Sequence, residues 1–512
     1  MVGRGRRALV LVATSLAAFT ATLDNTVVAV ALRDLQRDLD AGVAELQGVV
    51  TAYTVALAAL LLTGGTLADV AGRRRVLVAG LAVFAAASAG CATADSSTAL
   101  IAWRGVQGVG AALVLPGSLA VLSAAHPEPA GRARAVGIWA ATGAAALLAG
   151  PLVGGVLVEA AGWPSVFWVN LPLCALVAAV TALAPAGPPL ERGRRLDLPG
   201  QLLAALGLAA LTYAVVLGGR DGLGLPVLLA ATAGVVAFVG FLAVERRAPD
   251  PVLPLALLRQ RPLVGATVGA FAASLAVFVL LVFLSLFLQL VQQREPLDAA
   301  LRLLPLTIAL VVVAPLAGRL SARRGPRLPV LVGLLLTAGG LALTGLRLRD
   351  DVGDLEVLAL LGVCGVGIGL ATAPLVAASL DAVSATRSGL AAATVNVARE
   401  LGGVVAVAGL GAVVVARLGS DLTARLLALG VPGGRADVLV EALLRGATQR
   451  EVVDLSAGEV PFAALLVLRA AAETSYVLSV RLALLGAAGV LLVAAAVCAR
   501  TLETRVHQLD DA

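Results

Sequence analysis

Apolar residues in this chain run on rather than alternate. Stretches of about 20 predominantly apolar residues, the length a helix needs to cross a hydrocarbon layer, recur from residue 8 to residue 498, broken by short loops carrying arginine, glycine or proline. Fourteen helices are predicted: the first at 8–32, the seventh and eighth at 198–217 and 226–244, the thirteenth at 388–416 and the last at 475–498. The expected fold is an all-α integral membrane protein with 14 transmembrane helices. The first stretch follows Arg4, Arg6 and Arg7 but is long and lacks a small-residue cleavage site, so it reads as a span and not as a signal peptide. One interval, 417–474, is too long for a turn and is expected to fold into short amphipathic helices.

Loop arginines set the orientation. The loops and tails on the side of the amino terminus hold far more of them than the short loops opposite, which places both termini in the cytoplasm. The chain also repeats itself: "GGTLADVAGRRR" after span two and "AGRLSARRGPR" after span ten share glycine, leucine and glycine at Gly65, Leu67, Gly72 and at Gly318, Leu320, Gly325. A parallel duplication follows, with spans 1–6 repeated as 9–14. The predicted domains are an N-terminal six-helix bundle at 1–184, inserted helices 7 and 8 with cytoplasmic linkers at 185–262, and a C-terminal six-helix bundle at 263–512 holding the extracytoplasmic loop 417–474. Repeats with a site at their interface are a mark of secondary transporters.

Composition narrows the chemistry. Apolar residues make up 60% of the 512 and charged ones 14%, and every one of the 38 basic residues is arginine. Without lysine there is no phosphate-binding G-x-x-x-x-G-K-[ST] loop and no Schiff base. Cys91, Cys174, Cys364 and Cys498 sit in separate apolar stretches, and His126 is far from His507, so neither a metal site nor a disulfide framework is indicated. No constellation of nucleophile, base and metal marks an enzyme. The net charge of +6 reads as arginine at a lipid surface, not as a nucleic-acid patch. The arginine, alanine and leucine bias suggests a bacterial genome, hence a bacterial plasma membrane.

Polar residues inside the spans are functional candidates, since a carboxylate at the bilayer centre costs roughly 3 kcal/mol on insertion scales. Asp24 lies in span one and Arg104 in span four, about 12 and 9 Å from the outer ends of their helices at about 1.5 Å per residue. Opposite charges in one layer allow two readings. Burial favours the protonated acid and a neighbouring arginine the carboxylate, so moving the arginine would load or release a proton; alternatively the pair is a static tie between helices. Asn25 either lines a cavity or turns to a neighbouring helix, and Gln107 is a further cavity candidate. Span five carries Gly143, Gly150, Pro151, Gly154 and Gly155, small residues that permit close helix approach and a proline that bends the helix. In span thirteen, Asn396, Arg399 and Glu400 stand in an apolar helix. Adjacent Arg399 and Glu400 are expected to point differently, one toward a substrate path or both into a structural pair near the cytoplasm.

In order along the chain, "LDNTVVAVAL" (23–32), "GGTLADVAGRRRVL" (64–77), "IAWRGVQGVGAA" (101–112) and "GAAALLAGPLVGG" (143–155), supported by "WPSVFWVNLP" (163–172), "RRLDLPG" (194–200), "ERRAPDPVLPLALL" (245–258) and "GVGIGLATAPL" (365–375), resemble the fourteen-span drug/proton antiporters of the major facilitator superfamily. The resemblance implies the major facilitator fold, two six-helix bundles plus two inserted helices, and alternating access. It implies proton coupling by Asp24 with Arg104, a cytoplasmic gate built on Gly65, Asp69, Gly72 and Arg73, and a role for span five in the export cycle. The gate residues also admit a plainer reading as a loop anchor. Val70 stands where the family usually has a base, and Ala322 where the second repeat would have an acid, so the partner of Asp69 is open. The function expected is proton-driven export of hydrophobic or amphipathic small molecules by a monomer, with a proton gradient as energy source and no cofactor. With 3% aromatics, neutral or weakly charged drugs are favoured over multivalent cations. The alternatives are an exporter of an endogenous metabolite, lipid or amino acid, and a non-transporting receptor or scaffold of the same fold.

Overall fold

A computed structural model describes residues 4–41, 43–182, 197–221, 224–248, 259–349, 352–428 and 462–503, with residues 431, 434, 436, 439 and 440. Most of the 417–474 loop and most of the two linkers expected within 185–262 lie outside them, at 185–196 and 249–258. The described residues are helical almost throughout. In chain order the helices are α1 (Arg4–Asp38), α2 (Val43–Leu67), α3 (Arg73–Ala92), α4 (Ser97–Ala125), α5 (Pro129–Ala161), α6 (Ser165–Trp168), α7 (Asn170–Ala182), α8 (Leu198–Asp221), α9 (Leu225–Glu245), α10 (Arg261–Val279), α11 (Ser285–Leu290), α12 (Pro296–Arg324), α13 (Arg327–Arg347), α14 (Asp354–Asp381), α15 (Ser388–Val404), α16 (Gly411–Ala428) and α17 (Phe462–Thr501). Three are extended by π-helical turns, Ala68–Gly72 between α2 and α3, Leu280–Leu284 after α10 and Val405–Leu410 after α15. Proline begins α5 and α12, where its missing N–H has no helical partner to lose.

Among the described residues twelve stretches are long and apolar enough to cross a membrane, or thirteen if the bent α5 counts as one. The run Glu45–Ala92 counts once there, although it contains both α2 and α3. As a straight helix its 48 residues would reach about 72 Å, more than twice the hydrocarbon thickness. The backbone instead turns at Gly72, whose φ of 103° is open to glycine and strained for other residues.

Two groups of helices pack around a central interface. In the first, α4 lies against α2 and α3, and α1 against α5 and α7; in the second, α14 lies against α12 and α13, and α10 and α13 against α17. The groups meet where α5 touches α12 and α14, and where α15 touches α2 and α4. Helices α8 and α9 pair with each other at the flank, α8 resting on α2 and on the Val405–Leu410 turn. Their outer faces expose Leu202, Leu206, Leu228, Leu229 and Val236, as a lipid-facing surface requires. Of the expected loop 417–474, residues 417–428 continue α16 and residues 462–474 begin the 40-residue α17.

The repeated glycines occupy matching places. Gly72 and Gly325 both adopt positive φ at the turn between two helices, Gly72 one residue and Gly325 two residues before the next helix begins. Gly65 and Gly318 both sit where the halves meet: a Cβ on Gly65 would fall 2.5 Å from the Gly389 carbonyl oxygen of α15, and one on Gly318 would fall 2.5 Å from the Ala133 carbonyl oxygen of α5. The two halves therefore approach backbone to backbone at one end of the molecule, the end that carries both described chain ends. Gly65→Leu is expected to separate α2 from α15 there. A cysteine introduced at Ser388 should then be labelled several-fold faster by a bulky thiol reagent than the same cysteine beside Gly65; equal labelling would refute the contact.

Candidate functional site

The core of the first half holds a buried polar cluster contributed by four helices. The Asp24 carboxylate of α1 accepts hydrogen bonds from Arg104 Nη1 of α4 at 2.5 Å, Gln107 Nε2 of α4 at 2.8 Å and Asn170 Nδ2 of α7 at 2.6 Å. Asp24 and Arg104 have side chains 0% exposed. Gln107 closes the ring, accepting from Arg104 Nη1 at 2.6 Å and donating to Ser88 Oγ of α3 at 2.8 Å. Arg104 also donates through Nε to the Val49 carbonyl, and its guanidinium lies 4.4 Å from the ring centre of Tyr53 in α2. Arg104 Nη2 and Asn170 Oδ1 are left without partners. A charge so buried is tolerable only when paired and hydrogen-bonded, which is why one acid recruits three donors.

Beside this cluster, between the halves, lies a cavity of about 1140 Å³, its mouth included. Its walls are mainly apolar, with Leu57, Leu115 and Trp139 from the first half and Phe278, Leu310 and Leu375 from the second. Asn25, Asn396, Arg399 and Glu400 supply polar groups. Asp24 does not reach it: one residue is about 100° of helix rotation, which turns Asp24 into the bundle and Asn25 to the cavity. Tyr53 belongs to both places, backing Arg104 and lining the cavity, and its hydroxyl donates to the Ala21 carbonyl of α1 at 3.1 Å.

At the end where the halves touch, Asp69 accepts from the backbone N–H groups of Gly389 at 3.0 Å and Leu390 at 2.9 Å, the first turn of α15. Helix amino termini carry unsatisfied N–H groups and partial positive charge, so a carboxylate is well placed there. Arg73 Nε stands 3.7 Å from the same carboxylate. Gly65 makes the approach possible and Gly72 turns the chain into α3. An ion pair between Arg132 of α5 and Asp381 of α14 adds a second polar contact between the halves.

Helix α5 bends by 48° between Pro129–Leu147 and Leu152–Ala161, the break that contains Gly150 and Pro151. Gly150 and Gly154 face α1, where a Cβ would strike Thr26 and Val27 respectively, directly after Asp24 and Asn25. Gly143 lines the cavity, while a Cβ on Gly155 would meet open space.

The structure thus brings Asp24 and Arg104 together, joins Asp69 to the opposite half with Arg73 beside it, and puts Asn25, Asn396 and Glu400 on the cavity. Gln107 is placed elsewhere than expected: it is 0% exposed and belongs to the Asp24 cluster, because the turn between Arg104 and Gln107 keeps both on the α1 face of α4. Arg399 and Glu400 both line the cavity, since 100° of separation still fits within one broad helix face. Sequence reasoning missed Asn170, Ser88 and Tyr53 as partners. Asn170, a lone amide in "WVNLP", was the one visible signal.

A model of the Major Facilitator Superfamily matches residues 14–407, and the chain belongs to that superfamily of membrane transporters. It is 37% identical over 443 residues to the multidrug resistance protein Stp of Mycobacterium tuberculosis, covering 86% of this chain and 82% of Stp. It is 33% identical over 516 residues to the tetracenomycin C resistance and export protein of Streptomyces glaucescens, covering 99% and 93% of the two chains. The solved structure of the human organic anion transporter MFSD10 shares the fold, with a TM-score of 0.61 and 14% identity over 96% of this chain and 99% of that one.

Removing one partner of a buried pair leaves the other charge stranded, at about 3–5 kcal/mol, whereas replacing both with apolar residues costs far less. Arg104→Leu should therefore lower the thermal unfolding temperature of the purified protein more than the double variant Asp24→Leu/Arg104→Leu. The reverse order would mean that the pair is not closed in the folded protein.

Proposed function

We propose that the chain is a proton-coupled exporter of hydrophobic or amphipathic small molecules, working by alternating access in a bacterial plasma membrane with both termini in the cytoplasm. Splitting Glu45–Ala92 at Gly72 and taking α5 as one crossing gives fourteen spans, arranged as two six-helix bundles, at 1–184 and 263–512, with α8 and α9 inserted between them. The resistance and export functions in the relatives' names support drugs as cargo. The observation that carries the coupling is the Asp24 cluster, a carboxylate held by three donors, whose Arg104 stacks on Tyr53 of the cavity wall.

A proton on Asp24 cancels the charge that holds Arg104, and charge-assisted hydrogen bonds are roughly twice as strong as neutral ones. Arg104 is then freer to move against Tyr53, which also lines the space the cargo occupies. The outer half of α5 clasps α1 beside Asp24, and its bend gives that region a place to flex. Asp69 on the first turn of α15, with Arg73 beside it, and Arg132 on Asp381 act as latches at the cytoplasmic end. Both latches join the halves, so rocking toward the cytoplasm must break them.

Reconstituted vesicles loaded with a fluorescent drug test the coupling. Asp24→Asn should lower efflux driven by an imposed pH gradient by roughly 5- to 150-fold, the usual range for a coupling free energy between two sites. Drug binding in detergent should stay within a few-fold of the parent. Gradient-driven efflux that survives both Asp24→Asn and a protonophore would defeat the proposal. Asp69→Asn should weaken its two bonds to α15 and favour the cytoplasm-open state, read as faster labelling of a cysteine at Ser388; unchanged labelling would remove the latch.

A further inference from the structure

Resting on the exporter reading above, the cavity walls say more about the cargo. Arg399 and Glu400 are the charged side chains among the described lining residues, and the wall is otherwise apolar or neutral. Arg399 lies eleven residues beyond Ser388, the first residue of α15, which is about 17 Å along the helix and near the middle of a hydrocarbon layer about 30 Å thick. Among the described residues neither Arg399 nor Glu400 makes a hydrogen bond or an ion pair, with each other or with any neighbour. As sequence neighbours they diverge by about 100° around α15 and form no direct ion pair, though each still feels the other's charge. Asn396, one turn earlier on the same face, is 3% exposed and has an Nδ2 group without a hydrogen-bond partner.

Unpartnered charges at this depth stand in marked contrast to Asp24, which takes three donors in the neighbouring cluster. A cation and an anion that are partly exposed on the cavity wall and bond to no described protein group are open to what enters the cavity. We infer that the middle of the cavity is a two-charge cargo site: Arg399 and the free amide of Asn396 receive an anionic oxygen group, and Glu400 receives an amine, of one amphipathic molecule whose apolar body lies against Trp139 and Phe278. The favoured cargo is thus a zwitterion. A purely cationic amphiphile leaves Arg399 unanswered and is repelled by it. The guanidinium fork suits a carboxylate in particular, because it can donate two parallel N–H bonds.

The test is equilibrium binding to the purified full chain in detergent, without any gradient, followed by quenching of tryptophan emission. The two probes are an aminoxanthene dye with a free carboxyl group and the methyl ester of the same dye, which differ only in the anion. The parent protein should bind the free acid roughly tenfold tighter than the ester, the worth of one hydrogen bond to a charged group. Arg399→Gln should erase that preference while leaving ester binding within a few-fold, and Glu400→Gln should weaken both dyes while keeping the preference. Equal affinity of the parent for acid and ester, or a preference that survives Arg399→Gln, overturns the assignment. The comparison on the parent decides the matter even where a variant fails to fold. Binding needs no proton, so a failure here is distinct from a failure of gradient-driven efflux: the preference can vanish while coupled export persists, and the converse.

Discussion

A charge placed in a medium of low dielectric has to find a partner, and much of this molecule is arranged around how two acids do so. Asp24 finds Arg104, Gln107 and Asn170 inside one half. Asp69 finds the amides of Gly389 and Leu390 across the interface. The first solution ties α1, α4 and α7 of one bundle together at one carboxylate. The second ties one bundle to the other. Neither acid is on the cavity wall, so neither competes directly with cargo for its partners.

The arrangement also separates tasks by a single residue. Asp24 and Asn25 are neighbours in sequence, yet one is sealed within the bundle and the other faces the cavity. Tyr53 is the bridge, its ring against Arg104 while the residue also lines the space that a small molecule would occupy. The outer part of α5 rests on α1 just past these two residues through Gly150 and Gly154. A change in the ring of Tyr53, in the position of Arg104 or in the bend of α5 is therefore felt by the same short piece of α1.

Much of this was legible in the sequence, and the reasons differ by feature. Span lengths follow from composition alone, and the glycine repeat was readable because turns and close approaches demand glycine at 65, 72, 318 and 325. Asp24 and Arg104 announced themselves as charges in apolar helices. What pairs with Asp69 was not readable, since backbone amides leave no trace in a residue alphabet and α15 is more than 300 positions away. Gln107 was misplaced because a polar residue in a span predicts burial against protein without saying which face of its helix looks into a cavity. Ser88 and Tyr53 carried no charge to draw attention, and Asn170 was quoted within a motif without a role.

The contact between Asp69 and α15 divides mutational freedom unequally. On one side stands a carboxylate that accepts both bonds; on the other stand two peptide groups that every amino acid except proline possesses. Position 389 is nevertheless confined, since a Cβ there would fall 2.5 Å from the Gly65 carbonyl oxygen and 2.9 Å from the Asp69 carboxylate, whereas the amide of residue 390 survives any change short of proline. The joint is thus specified twice, by the presence of a carboxylate in one half and by the absence of a side chain at Gly389 in the other.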